Sequence, residues 1–258
     1  MMSISYIKVF GERNSGTNYL SSLLKRNVSE IGTGAKFGWK HGLVDHARIA
    51  KEGTDTLFLA IFKSPYSWAV SMHGKPHHAP QLHRLPFSEF IRSEWACYSG
   101  ENFDTRDLAE NPVKPDEEML HERNPHTKKR FGNVLLMRQA KVKSFLKIAE
   151  VTDKFEVIKY EDLLYTPKQV LNRIINKYDL KRTSQKLVLE AGYQGKNPKI
   201  PFKRRKFYLQ KEYFNTYTPE DLDYVNQYID FELEAKIGYF KQDSLTKVEQ
   251  DPQNTISS

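Results

Sequence analysis

Tyr6-Ile-Lys-Val-Phe10 runs directly into Gly11-Glu-Arg-Asn-Ser-Gly-Thr-Asn18, and the order of these two stretches decides the fold. The first alternates and is rich in β-formers, which predicts a strand. The second places two glycines at the spacing G-x-x-x-x-G. From Thr17 onward, Tyr19, Leu20, Leu23 and Leu24 recur at helical spacing. Strand, glycine loop and helix in that order open an α/β unit. Backbone N–H groups of such a loop, with a helix N-terminus behind them, form an anion cradle. A nucleoside triphosphatase carries Lys and then Ser or Thr after the second glycine, for the β/γ-phosphates and Mg²⁺. Thr17 and Asn18 stand there instead. The loop therefore suits phosphate binding without the equipment for magnesium-assisted phosphoryl transfer. Spacing alone leaves an ordinary glycine turn equally open.

Outward from this unit, Leu57-Phe-Leu-Ala-Ile-Phe62 is a continuous apolar run, as a buried parallel strand requires. Pro65 suits the first turn of a following helix that carries Trp68, Val70 and Met72. Phe155–Tyr160 reads as a third strand. Helices are predicted at Asn133–Glu150, Pro167–Tyr178, Ser184–Ala191 and Pro219–Ile237. Residues 74–131 are rich in Pro, His, Asn and charge around one predicted helix, Pro86–Trp95, and read as an insertion over the site. From about Gln242 the chain is polar and weakly periodic, which predicts a frayed tail over 242–258. The expected fold is thus α/β and P-loop-containing. One domain over 1–241 holds a mostly parallel sheet flanked by helices, with a helical and loop insertion at about 74–131.

The chain has 258 residues, 39% of them apolar and 28% charged, enough for one core of substantial size. Lys plus Arg number 40 against 32 Asp plus Glu, a net charge of +8, which favours an anionic ligand or surface. Cys97 is the only cysteine, which excludes an internal disulfide framework and any zinc site built on several thiolates. No apolar run approaches the roughly 20 residues of a membrane span. Met1–Phe10 shows no basic stretch before an apolar segment, so no cleaved signal is expected and a reducing, cytoplasmic compartment is the default. His73, His77, His78 and His83 cluster at the start of the insertion but match no zinc spacing. They read as polar loop histidines or as lining of an acceptor pocket.

Three motifs carry a family resemblance. Phe10-Gly-Glu-Arg-Asn-Ser-Gly-Thr-Asn-Tyr-Leu20 resembles the 5′-phosphosulfate loop of sulfotransferases that use 3′-phosphoadenosine 5′-phosphosulfate (PAPS). Ile61-Phe-Lys-Ser-Pro-Tyr-Ser-Trp-Ala-Val-Ser-Met72 resembles the family's 3′-phosphate motif, with Ser71 eight positions after the basic Lys63. Lys159-Tyr-Glu-Asp-Leu-Leu164, with Pro167 beyond it, is similar to the family's Tyr-Glu-Asp segment. The ending Glu232-Leu-Glu-Ala-Lys-Ile-Gly-Tyr239 also resembles bacterial members. The resemblance covers about residues 4–240 and is weakest over 74–131. It implies a P-loop sulfotransferase fold and PAPS as co-substrate, with no metal required. Arg13, Asn14, Ser15, Gly16, Thr17 and Asn18 would bind the 5′ end, and Lys63 and Ser71 the 3′-phosphate. By the same resemblance Tyr19 would lie against the adenine, with plain core packing as the alternative, and Tyr160 would contact the base. One departure stands out: where the family has its catalytic Lys or Arg, this chain has Asn14. Either Arg13, one position early, or Lys40 would supply the charge.

Sulfuryl transfer to a hydroxyl needs positioning, charge stabilisation and removal of the acceptor proton. Phe37-Gly-Trp-Lys-His-Gly42 resembles a strand-borne Lys/His segment of several sulfotransferases, which makes His41 the candidate base. The alternative is a histidine that satisfies a buried backbone carbonyl. His46 and Glu12 are secondary candidates, and Glu12, a carboxylate inside an anion loop, reads as structural. Lys203-Arg-Arg-Lys206, with Lys196 and Lys199 upstream, is the densest positive cluster. By the family resemblance Arg204 or Arg205 would close on the 3′-phosphate; a solvated surface run or a polyanion patch is the other reading. The functional expectation is a sulfotransferase acting on a hydroxyl, with a glycan as acceptor partner. A P-loop nucleotide kinase and a non-enzymatic polyanion-binding protein are the alternatives.

Overall fold

A computed structural model describes residues 3–99, 117–189 and 202–245, the last segment without the side chains of 202–204. Its centre is a four-stranded, all-parallel sheet in the order β2-β1-β3-β4. The strands are β1 (Tyr6–Gly11), β2 (Gly32–Thr33), β3 (Thr56–Phe62) and β4 (Phe155–Lys159). All seven residues of β3 are buried, as its unbroken apolar run requires. Side chains alternate between two cores. Ile7, Val9, Leu57, Leu59 and Ile61 face one, together with Leu20, Leu23, Leu24 and Trp68. Phe10, Phe58, Ala60 and Phe62 face the other, with Phe37, Ile49, Phe145 and Ile148. Helices flank the sheet: α1 (Thr17–Asn27), α2 (His46–Glu52), α3 (Pro65–Gly74), α4 (Phe87–Arg92), α5 (Val134–Leu146), α6 (Tyr160–Tyr165), α7 (Pro167–Lys177), α8 (Phe202–Leu209), α9 (Pro219–Tyr228) and α10 (Phe231–Ala235). No helix among the described residues is long and apolar enough to cross a membrane.

The strand order positions the site. The chain leaves β1 toward β2 on one side, then returns to place β3 on the other. The crevice at the carboxyl ends of β1 and β3 is therefore a topological switch point, where open α/β sheets bind ligands. Register pairs Gly11 with Ile61 and Phe62 with Lys159. The loop after β1, Lys63 after β3 and Tyr160 after β4 consequently emerge along one edge.

Several boundaries differ from the sequence expectation, each for a local reason. β4 stops at Lys159, and Tyr160 opens α6. The helix expected over Pro86–Trp95 is shorter, because Ser93 turns extended and Trp95 pairs with Phe131 as an antiparallel bridge. Pro219–Ile237 divides into α9 and α10, where the Asp230 side chain accepts from Leu233 N–H and starts a new helix. Ser184–Leu189 is not helical: Val188 N–H donates to Asn27 Oδ1 at 2.6 Å and its carbonyl accepts from Asn27 Nδ2 at 2.8 Å. The rest of that expected helix, Glu190 and Ala191, lies outside the described residues. Periodicity did not signal β2, α2 or α8.

The described parts of the insertion share the main core, burying Phe87, Phe90, Ile91, Trp95, Met119 and Phe131 within it. Gln242, expected to fray, is instead pinned: its N–H donates to Tyr66 Oη at 2.8 Å and its carbonyl accepts from Asn226 at 2.9 Å. Residues 246–258 of the expected tail lie outside the described residues.

Candidate functional site

The β1–α1 loop is tight. Glu12 carbonyl accepts from both Ser15 N–H (3.2 Å) and Ser15 Oγ (2.7 Å). Asn14 takes a left-handed φ of 61°, and its Nδ2 donates to Lys75 carbonyl at 3.0 Å. Trp68 Nε1 clamps the loop through Arg13 carbonyl at 3.0 Å. Gly16, at φ 99°, is the N-cap of α1 and gives it no side-chain cap. The first-turn N–H groups of a helix lack intrahelical partners, so this end presents donors. A Cβ on Gly16 would stand 2.5 Å from the Tyr160 ring, so glycine is required by both conformation and contact. Thr17 is buried and Asn18 exposed at this opening.

From Gly16 an aromatic wall leads to Lys63. Tyr160 packs on Gly16 and meets Tyr208 edge-to-face at 5.3 Å. The Lys63 ammonium lies 4.9 Å from the Tyr160 ring centroid. It donates to Ser71 Oγ at 2.7 Å and to Tyr208 Oη. The end of β3 and the face of α3 thus meet across the eight-residue spacing. Tyr208, on α8, is a site residue the sequence reading missed, although it follows the Lys203–Lys206 run by two positions. Arg205 is exposed on the same helix, and its charge acts on the phenols of Tyr19 and Tyr165. Tyr19 is partly buried and packs against the main core. The side chain of Arg204, with Lys196 and Lys199, lies outside the described residues.

Arg13 points elsewhere. It is buried, donates to Glu122 Oε2 at 2.9 Å and to Cys97 Sγ at 3.3 Å, and stacks 4.5 Å from the Trp39 ring. Lys141, on α5, donates to the same Glu122 oxygen and to His41 carbonyl at 2.6 Å. Burial works to raise the Glu122 carboxyl, but Lys141 and Arg13 outweigh it and hold it down at about 2. The structure thus places Arg13 in an ion pair that fastens the insertion to the loop, away from the role of loop cation expected of it. Lys40, the other candidate, sits at the loop mouth with its Nζ donating to Asn18 Oδ1 at 2.8 Å.

His41 Nδ1 lies 2.6 Å from Gly11 carbonyl. A carbonyl only accepts, so Nδ1 carries the proton and Nε2 keeps its lone pair. The histidine therefore satisfies a backbone carbonyl and still offers an acceptor nitrogen. Burial, with Lys40 and Arg13 nearby, holds His41 well below its ordinary pKa, so the ring is neutral at pH 7. Glu12 is structural: its Oε2 accepts from Arg138 at 2.6 Å, and Arg138 also grips Glu234 twice and the Lys63 carbonyl at 2.9 Å. His46 is tied to Ser144 carbonyl at 2.8 Å.

Comparison with protein-family models, curated proteins and solved structures finds no match to this chain. Of the histidines at the start of the insertion, His77 and His78 lie with ring centroids 6.4 Å apart, while His73 and His83 point elsewhere. His73 bonds Leu85 carbonyl at 2.8 Å, His78 packs edge-on against Trp39 at 5.8 Å, and His83 is exposed. His121, not singled out from the sequence, packs against Trp39 as well, at 6.2 Å. Among the described residues no group of three His, Cys, Asp or Glu is arranged to hold a metal ion.

Proposed function

We propose that this chain transfers a sulfuryl group from PAPS to a hydroxyl acceptor, with a carbohydrate as the class its basic charge favours. The observation that carries the reading is the pair of buried Lys63 and half-buried Ser71, joined through Tyr160 to the uncapped Gly16 end of α1. Two anion-accepting positions at one sheet edge match a ligand with a 3′-phosphate and a 5′-phosphosulfate. Lys63 and Ser71 would hold the former. Gly16, Thr17, Asn18 and the first-turn N–H groups of α1 would hold the latter. Bound PAPS would supply the sulfuryl group.

The residues then divide the work. His41 Nε2 takes the acceptor proton as the acceptor oxygen bonds to sulfur. The bond from sulfur to the bridging phosphate oxygen breaks, and Lys40 with the loop N–H groups steadies the negative charge left on that oxygen. An anion at the loop opposes the fields of Lys40 and Arg13, which raises the proton affinity of His41 where the reaction needs it. Arg13 acts at a distance, by holding the loop against Glu122.

A thermal-shift titration with adenosine 3′,5′-bisphosphate, AMP and ATP with magnesium tests the reading. At 100 times its dissociation constant a ligand adds about 2.7 kcal/mol, worth roughly 5–10 °C for a domain of this size. The expected result is that shift with the bisphosphate and little with AMP. Equal shifts would remove the 3′-phosphate site, and a response confined to magnesium-ATP would move the chain to the kinases.

A further inference from the structure

We propose that Tyr208 makes the Lys63–Ser71 pair selective for a phosphate monoester, by closing α8 on the bound group through its phenol hydroxyl. The inference rests on the reading that this pair receives the 3′-phosphate. Lys63 donates to one hydroxyl from α3 and one from α8, so two elements distant in sequence meet at a single ammonium. Ser71 returns its own proton to Ser67 carbonyl at 2.9 Å and so presents a lone pair to Lys63. The phenol is the second hydroxyl there, and it is the more acidic donor toward a charged oxygen. A phosphate oxygen that meets the ammonium lies within reach of that O–H.

Tyr208 is held in place for this task. It is buried, with its ring edge-on to Tyr160 at 5.3 Å and to Phe207 at 5.2 Å. It also lines a cleft of about 240 Å³ with Glu161, Tyr165 and Lys211, which gives α8 an open side next to a fixed ring. Three residues earlier on the same helix, Arg205 adds positive charge near Tyr19. A dianionic monoester would gain an ammonium, a phenol and this field together. A neutral ribose hydroxyl at the same point could accept from the ammonium but would gain neither the ion pair nor a charge-assisted bond from the phenol.

Tyr208→Phe keeps the ring and its packing and removes only the hydroxyl. Isothermal titration calorimetry should show adenosine 3′,5′-bisphosphate affinity reduced about tenfold in Tyr208→Phe, with AMP affinity unchanged. Unchanged bisphosphate affinity would overturn the role. Tighter binding would also overturn it, by making the hydroxyl a plug over Lys63. An equal loss for both ligands would overturn the selectivity. The wild-type titration separates this from the broader reading. If wild-type protein does not prefer the bisphosphate to AMP, the 3′-phosphate site and the Tyr208 role fall together. If it does and Tyr208→Phe keeps the full preference, only Tyr208 falls.

Discussion

Arg13 and Lys63 are both buried cations beside the Glu12–Gly16 region, yet Arg13 donates to the Glu122 carboxylate while Lys63 donates to the Ser71 and Tyr208 hydroxyls. A carboxylate partner fixes a cation, because displacing it by an anionic ligand would strand a second negative charge in the core. A hydroxyl partner is neutral and reorients, so it yields to or joins an incoming phosphate oxygen at small cost. On the proposed reading the loop's own arginine is therefore architectural, and Lys63, just after β3, is the cation that meets the ligand.

The largest test of this contrast is a pair of substitutions. Glu122→Ala leaves Arg13 and Lys141 buried without their shared carboxylate, which should cost about 3–5 kcal/mol. At the usual scaling the midpoint of thermal unfolding falls by roughly 10 °C. Lys63→Met removes a cation that donates to the Ser71 and Tyr208 hydroxyls, so its midpoint should fall less while bisphosphate affinity drops at least about tenfold. Equal losses of stability, or a Lys63→Met protein that keeps its preference for the bisphosphate, would break the comparison.

Two of the buried glutamates, Glu122 and Glu12, sharpen it. Glu122 shares one oxygen between two cations, whereas Glu12 shares Arg138 with Glu234. Burial, only partly offset by Arg138, pushes the Glu12 carboxyl from 4.5 up to about 7. The folded state then binds a proton that the unfolded chain has already lost between pH 4.5 and 7. This contribution is fully present below 4.5 and is lost as pH rises through 7, by about 3 kcal/mol in all. His41 and His78 act in the opposite sense: both stay neutral in the fold, so their contribution is lost as pH falls below 6.5. Glu12→Gln isolates the first effect. Its stability relative to wild type, from urea titrations at each pH, should rise across pH 4.5–7 and level off above. A flat difference would mean that Glu12 is ionised throughout.

Which of these features could be read from sequence follows from how local their physics is. The β1 alternation, the β3 apolar run and the Gly16 turn are decided by neighbours, so three of the four strands, a mostly parallel sheet and the loop after β1 were legible. Lys63 and Ser71 were legible as a pair because a strand end and the next helix turn bring an eight-residue spacing together. The fate of Arg13 was not, since its partner Glu122 lies 109 positions away inside the insertion. Tyr208 reaches Lys63 across 145 positions, from a helix whose basic run masks its periodicity. Asp230, which ends one helix and starts another, shows the same limit at short range: capping competes with a pattern that reads as continuous.

The smallest effect separates the exposed cation of the site from its buried one. Arg205 is exposed on α8 and acts on Tyr19 through its field. Arg205→Ala should weaken bisphosphate binding only about two- to threefold at low salt, as a screened surface charge does. At about 1 M salt the screening length is about 3 Å, and variant and wild type should bind alike. The loss in Lys63→Met should persist there, because a desolvated ammonium is screened far less. Calorimetric titration of both variants at the two salt concentrations reads the difference directly. An Arg205→Ala defect that survives 1 M salt would mean that Arg205 touches the ligand, and α8 would then bring two side chains, not one, onto the bound phosphate.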